Sequence, residues 1–174
     1  MKRPEKITGT NSLYKKQGAP FTEKGVFGLL AQTKTTLAIA ESCTGGRLAD
    51  TLTNLAGASC FFLGGVIAYH NTIKHRLLRV PRETIAKKGA VSKDVAVYMA
   101  AGIRRLLKAD IGIAITGIAG PGGGTAKQPV GLVYIAISGI KGCKSHRCIF
   151  SGTRTQVKQK ATRKALHFLG SYLA

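Results

Sequence analysis

Short apolar runs rich in β-branched residues alternate with amphipathic segments, and this alternation restricts the fold more than any other feature of the sequence. The runs predicted to be strands are 35–40, 59–69, 110–116, 130–138 and 146–151. The segments predicted to be helices are 21–34, 47–55, 71–78, 92–109 and 154–173. Helices separate the early strands, whereas the late strands cluster. The pattern therefore predicts a three-layer α/β/α domain with a mixed sheet, partly parallel and antiparallel near its end.

The length of 174 residues suits one domain with a sizeable core. Residues 1–20 are polar and basic and show no periodicity, so they are predicted to be a flexible N-terminal extension. The globular domain is expected to occupy residues 21–174.

The net charge of +20 arises from 27 basic and only 7 acidic residues, and the last acid in the chain is Asp110. Such an excess attracts nucleic acids and other anions. However, the basic residues are scattered, and no basic cluster interleaved with aromatic residues indicates a base-stacking surface. A nucleic-acid partner is therefore not favoured, although the charge would draw a phosphorylated substrate inward.

The cysteine pattern supports neither a metal site nor a redox motif, because no CxxC pair occurs among the four cysteines. Cys143 and Cys148 flank His146, but further ligands for a metal are missing. No apolar segment has the length of a signal peptide or a membrane span. A cytoplasmic protein with reduced thiols and no membrane partner is expected.

The stretch AESCTGGRLAD, residues 40–50, joins a predicted strand to a helix start and places Ser42 beside Cys43. Helix N-termini bind anions and developing oxyanions, and Gly45 and Gly46 would let the backbone approach a ligand. The Walker pattern GxxxxGK[ST] is absent. The stretch is either a functional loop with a nucleophile or a plain tight turn.

A second glycine cluster, TGIAGPGGGT, spans residues 116–125. It fails the GxGxxG spacing and leads to a strand instead of a helix, which excludes a dinucleotide-binding fingerprint. What remains is a glycine-lined rim beside Thr116 at the carboxyl end of a strand, where open α/β sheets bind ligands.

A third candidate is YHNTIK, residues 69–74, at another strand end. Asn71 and Lys74 share a helical face, although Asn71 could merely cap the helix and Lys74 could be a solvated lysine. The acids and histidines show no recognisable Ser-His-Asp order. A lysine therefore remains as the base for a serine, provided that burial or neighbouring cations lower its pKa.

The segments AESCTGG, FFLGGVIAYHNTIK, GAVS and TGIAGPGGGT followed by KQPVG occur in this order and closely resemble the CinA C-terminal domain family. These proteins are also called nicotinamide-nucleotide amidases or PncC. The resemblance covers residues 22–172 and implies one α/β/α domain, often oligomeric. It also implies hydrolysis of nicotinamide mononucleotide to nicotinic acid mononucleotide and ammonia, in pyridine nucleotide salvage, without a cofactor or metal. Larger members carry an additional N-terminal domain, and the length of this chain matches the stand-alone form.

The resemblance assigns catalytic roles to four residues. Ser42 matches the nucleophile and Lys74 the base, with Tyr69 beside it, and Thr116 matches a hydroxyl residue that completes the site. The base would act directly or through Tyr69 or Thr116. Substrate binding and oxyanion stabilisation are assigned to Cys43, Thr44, Gly45, Gly46, Arg47, Asn71, Gly117, Gly120 and Arg154, with Arg47 and Arg154 as candidates for the phosphate.

Two positions depart from the family pattern. Thr153 stands in SGTR where the family usually has SGDR, which removes an acid that might orient Arg154. His70 replaces the serine of the usual YSN.

Two alternatives stay open. Cys43 is a rival nucleophile to Ser42. The chain could also be a non-catalytic relative that binds a nucleotide or an acidic partner in competence or DNA damage. A long separation of Lys74 Nζ from Ser42 Oγ, with no bridging hydroxyl, would contradict catalysis.

Overall fold

The computed structural model describes residues 21–174; the predicted flexible extension, residues 1–20, lies outside this range. The five strands are β1 (Leu37–Glu41), β2 (Phe62–Ile67), β3 (Ile111–Gly117), β4 (Leu132–Gly139) and β5 (Gly142–Ile149). The six helices are α1 (Glu23–Thr33), α2 (Arg47–Thr53), α3 (Asn71–Arg76), α4 (Arg82–Lys88), α5 (Lys93–Leu106) and α6 (Arg154–Leu173).

The strands form one mixed sheet in the order β2-β1-β3-β4-β5. β1 pairs in parallel with both β2 and β3, whereas β3, β4 and β5 pair antiparallel. This confirms the mixed sheet predicted from the clustering of the late strands. The carboxyl ends of β1, β2 and β3 consequently meet at one edge of the sheet.

Two separate apolar clusters cover the two faces of the sheet. Ile39, Ile113 and Ile115 pack in the cluster that includes α1, α2 and α6, whereas Ala40 and Ala114 pack in the cluster that includes α5. Successive strand residues point to opposite faces, so each strand contributes to both clusters. The result is the predicted three-layer α/β/α arrangement, in one domain.

The C-terminal helix α6 has the predicted bounds because its start carries a complete capping box. The Thr153 hydroxyl accepts from Gln156 N, and Gln156 Oε1 accepts from Thr153 N. Each contact satisfies a backbone N–H that the helix cannot pair itself.

Several bounds differ from the prediction by a few residues, and one helix was not predicted. β2 begins at Phe62 because Ala58–Cys60 form a 3₁₀ turn. β5 begins at Gly142 instead of residue 146. Helix α4 was not predicted, because none of its residues is fully buried and the sequence carries no clear apolar stripe there.

Within residues 21–174, no helix combines the length and apolar character needed to cross a membrane. The same residues contain no group of three or more His, Cys, Asp or Glu side chains placed to hold a metal ion.

Candidate active site

A cavity of about 260 Å³ lies at the carboxyl ends of β1 and β3. Nine of the thirteen residues predicted for the site line it: Ser42, Cys43, Tyr69, Asn71, Lys74, Thr116, Gly117, Gly120 and Arg154. The three stretches 40–50, 69–74 and 116–125 therefore converge with the start of α6, which carries Arg154. Convergence at the carboxyl ends of strands is what the topology of an open α/β sheet predicts.

Lys74 contacts Ser42 directly. Ser42 follows the last residue of β1, and its backbone N–H bonds Ile115 O, which fixes the start of the loop. Lys74 lies on α3 and is only 2% exposed. Its Nζ is 3.2 Å from Ser42 Oγ, 2.8 Å from Ala68 O and 3.2 Å from Tyr69 O.

Burial shifts the protonation equilibrium of Lys74 toward the neutral amine. Burial lowers the pKa of Lys74, since removal from water penalises the charged form. Among the described residues no carboxylate bonds Nζ. A neutral amine has two N–H donors and one lone pair. The carbonyls of Ala68 and Tyr69 can take the two donors, which leaves the lone pair for the hydroxyl proton of Ser42.

The side chains of Tyr69 and Thr116 are engaged elsewhere and do not bridge Lys74 to Ser42. The Tyr69 hydroxyl accepts a bond from Arg154 Nη2 over 2.7 Å, and only the Tyr69 carbonyl meets Lys74. Thr116 Oγ1 donates to Ala90 O over 2.9 Å. Of the routes left open by the sequence, the geometry provides the direct one.

The start of α2 is occupied by a carboxylate of the chain itself, which corrects the expectation that this helix start forms the anion hole. Glu41 is 1% exposed, and its two oxygens accept from Gly46 N and Ala49 N at 3.0 and 2.9 Å. Gly45 N bonds Ser42 O. The sequence analysis gave Glu41 no role, although an acid shortly before a helix start is the relevant signal.

Four predicted binding residues consequently lie outside the cavity lining: Thr44, Gly45, Gly46 and Arg47. Thr44 is fully buried, and its Oγ1 has no hydrogen-bond partner in the described part of the chain. Arg47 Nε is likewise buried without a partner there. Between residues 42 and 46, the backbone N–H groups without an acceptor among the described residues are those of Cys43 and Thr44.

Cys43 lines the cavity, but its thiol is in an unfavourable environment for ionisation. It is 6% exposed, and burial, helped by the charge of Glu41, raises its pKa to about 12. The thiolate is the reactive form of cysteine, so at neutral pH this side chain is a weak nucleophile.

Arg154 and the glycine loop form the mouth of the cavity. Arg154 Nη1 donates to Gly120 O and Nη2 to Tyr69 Oη, each over 2.7 Å. These contacts orient the guanidinium without the acid that the family usually has at position 153; Thr153 instead caps α6.

Only glycine fits at position 117, because neighbouring atoms leave no room for a side chain. A Cβ there would lie 2.7 Å from Leu132 O and 3.0 Å from Cys43 Sγ, closer than real side chains approach. Gly117 therefore lets the end of β3 pack against both β4 and the loop that carries Ser42 and Cys43.

Six further lining residues were not named individually by the sequence analysis: Ala90, Val91, Ile118, Ala119, Gly122 and Gly123. The last four lie in the glycine cluster of residues 116–125, which was predicted as the rim of the site. Ala90 and Val91 belong to the GAVS segment, which contributes through the bond of Thr116 to the Ala90 carbonyl. His70, in contrast, does not line the cavity; its Nδ1 caps α3 by accepting from Thr72 N, the role considered for Asn71.

Comparison with known proteins decides the family. A model of the CinA C-terminal domain matches residues 21–173. The chain belongs to the CinA C-terminal domain family. Two CinA-like proteins illustrate the similarity. One from Geotalea uraniireducens is 44% identical over 92% of this chain and 40% of its own length, and one from Desulfotalea psychrophila is 49% identical over 79% and 33%. The chain thus spans about two fifths or less of these relatives.

Solved structures of competence- or damage-inducible proteins share the fold over nearly their whole length. The competence damage-inducible protein A of Klebsiella pneumoniae superposes with a TM-score of 0.84 at 37% identity, covering 87% of this chain and 94% of that one. The competence/damage inducible protein of Agrobacterium tumefaciens gives 0.83 at 36% identity, covering 86% and 92%.

Proposed function

We propose that the protein is an amidohydrolase that converts nicotinamide mononucleotide to nicotinic acid mononucleotide and ammonia, with Ser42 as nucleophile and Lys74 as base. The observation that carries the proposal is the 3.2 Å contact of Lys74 Nζ with Ser42 Oγ inside the cavity. A pairing of a buried lysine with a serine is a known variant of the serine-nucleophile arrangement.

The first step is acylation. Lys74, as the neutral amine, takes the hydroxyl proton while Ser42 Oγ attacks the amide carbon, giving a tetrahedral intermediate and an ammonium on Lys74. The intermediate collapses when the C–N bond breaks and Lys74 returns the proton to the leaving nitrogen. Ammonia departs and an ester on Ser42 remains.

Deacylation reverses the roles. A water molecule takes the place of ammonia, Lys74 removes its proton, and the resulting hydroxide attacks the ester carbon. Collapse of the second tetrahedral intermediate returns the proton to Ser42 Oγ and releases the carboxylic acid. Each step has the same proton acceptor within reach, as general acid–base catalysis requires.

The oxyanion needs donors that are not already in use. The free backbone N–H groups of Cys43 and Thr44 directly follow the nucleophile, which is where such donors are needed. Because Glu41 satisfies the start of α2 and Thr44 does not line the cavity, we assign the oxyanion to the N–H of Cys43 and not to Gly45 or Gly46. One donor of this kind is worth about 10²–10³ in rate.

The cavity fits the reacting end of a nucleotide. Its volume of about 260 Å³ is slightly below the range of roughly 300–1,000 Å³ for small-molecule sites, so a nucleotide would fill it and reach its mouth. Arg154 lies at that mouth with a fork of donors suited to a phosphate. We therefore assign the 5′-phosphate to Arg154 and not to Arg47, which lines no part of the cavity.

The deciding experiment measures ammonia release from nicotinamide mononucleotide by wild type and by Ser42→Ala, with thermal melting to verify that the variant is folded. Activity in wild type and its loss in the folded variant support the proposal. Absence of activity in wild type favours the non-catalytic binding role or another amide, and equal activity in both proteins excludes Ser42 as nucleophile.

A further inference from the structure

A second cavity, of about 340 Å³, lies between the edge strand β5 and helix α6. It shares no lining residue with the candidate active site. Basic side chains dominate its walls. The full lining is Lys144, His146, Lys164, His167, Phe168, Ser171 and Tyr172.

The periodicities of a strand and a helix bring four basic groups together. Lys144 and His146 are two positions apart on β5 and therefore face the same side. Lys164 and His167 are three positions apart on α6 and share one helical face. The His146 ring meets the edge of Phe168 at 4.5 Å between centroids, so the two walls are in contact.

The lining of this cavity holds no acidic residue that would balance these groups. The sequence contains no acid after Asp110. In residues 21–174 the single ion pair is Lys88–Asp94. Asp94 lines a neighbouring cavity that Lys144 and His146 also border, but it is paired with Lys88 and does not line this one. The Lys144 ammonium instead lies 5.7 Å from the centroid of the Tyr172 ring, a weak cation–π contact that holds it beside the cavity.

Electrostatic repulsion from its basic neighbours contributes to the lowered pKa of His146. Burial lowers it first, and the charges of Lys164 and His167 lower it further. Like charges held together destabilise a fold, and a bound anion would relieve this repulsion.

We propose that this β5–α6 cleft is a binding site for a small molecule that carries two or more phosphate groups, contacted by Lys144 and His146 from one wall and Lys164 and His167 from the other. The volume lies near the lower end of the range for small-molecule sites. Phe168 and Tyr172 are 7% and 4% exposed, so they offer no stacking platform for single-stranded nucleic acid. Inorganic polyphosphate and nucleotide polyphosphates share the chemistry that the cleft recognises.

Calorimetric titration of the full chain with inorganic triphosphate tests the proposal, with matched variants on each wall. Lys164→Gln is compared with Arg163→Gln, and Lys144→Gln with Arg147→Gln; Arg163 and Arg147 are exposed neighbours that do not line the cleft. We expect each cleft variant to weaken binding about ten-fold or more, because each removes a charge-assisted contact, while each matched control changes it less than about three-fold. If a cleft variant and its matched control weakened triphosphate binding equally, binding would depend on general charge attraction, and the proposal would be overturned.

Three further measurements test the position of the anion and the kind of ligand. Proton NMR should show the pKa of His146 rising when triphosphate is bound; an unchanged pKa alongside measurable binding would place the anion elsewhere and overturn the site. A titration with adenosine triphosphate then shows which kind of ligand the cleft recognises. Tighter binding than that of inorganic triphosphate indicates a nucleotide, and equal binding indicates that only the phosphate chain is recognised. Binding of a single-stranded oligonucleotide without binding of triphosphate would contradict a small-molecule site.

Discussion

Lys74 Nζ and Ser42 Oγ lie 3.2 Å apart although 32 positions separate the two residues in the chain. The parallel pairing of β1 with β2 produces this contact, because it brings the loop after β1 and the start of α3 after β2 to the same edge of the sheet. The reactivity that we propose for the protein depends on this one juxtaposition.

The first prediction concerns pH. In the proposed mechanism the neutral amine of Lys74 is the active form. We therefore expect kcat/KM to rise with pH as the lysine loses its proton, with a midpoint below that of an ordinary lysine because burial lowers the pKa. Lys74→Arg keeps the charge but cannot deprotonate, and it should reduce kcat by about 10²–10⁴. Ammonia release measured across pH tests both effects. A flat profile, or an active Lys74→Arg protein, would contradict a lysine base.

The second prediction separates the two adjacent nucleophile candidates. Cys43→Ala should keep activity within about ten-fold, whereas Ser42→Ala should lose at least about 10³-fold. Iodoacetamide should label the exposed Cys60 and Cys143 well before the buried Cys43, as mass spectrometry can follow. If activity were lost at the same rate as Cys43 is labelled, and Cys43→Ala were inactive, the nucleophile would be the Cys43 thiol and not Ser42.

The third prediction concerns the mouth of the cavity. Arg154→Gln should raise KM for nicotinamide mononucleotide about 10- to 100-fold with little change in kcat, because it removes charge-assisted contacts to the phosphate. Nicotinamide riboside, which lacks the phosphate, is the matched substrate, and its kinetics should change little. Lys160→Gln, an exposed change on the same helix, is the matched variant. Equal losses for both substrates would show that Arg154 does not bind the phosphate.

The fourth prediction concerns Glu41, which is buried and bonds two backbone N–H groups of α2. Glu41→Gln turns one acceptor into a donor facing a donor, and we expect a loss of about 1–3 kcal/mol in the free energy of unfolding. Asp50→Asn, an exposed change of the same charge in α2, should cost less. Urea unfolding measures both. If Glu41→Gln were as stable as Asp50→Asn, the Glu41 carboxylate would be dispensable for the loop that carries Ser42.

The sequence predicted those parts of the fold whose side chains repeat with a clear period. Helix α6 combines a cap at Thr153 with buried residues at helical spacing, and its bounds were confirmed. Edge strand β5 is exposed along most of its length, so its first residues show no apolar alternation and its start was placed too late. Helix α4 was missed for a similar reason, since its burial is only partial.

For the site, the sequence placed the main residues but not the contacts that engage them. Ser42 and Lys74 could be paired from the family resemblance, since the segments that carry them follow the ends of β1 and β2. The bond of Thr116 to Ala90 and the bond of Arg154 to Tyr69 could not, because each joins segments far apart in the chain through a loop of irregular shape. Local patterns carry no information about such distant partners.

The imbalance between 27 basic and 7 acidic residues, with Lys88–Asp94 as the one ion pair of residues 21–174, also determines how ionic strength acts on the fold. Dissolved ions screen exposed charges beyond about 10 Å at 0.1 M. In a protein held by surface ion pairs, screening weakens attraction. In this chain it weakens mainly repulsion, so added salt should favour the folded state, and dilute buffers are the conditions under which it unfolds most readily.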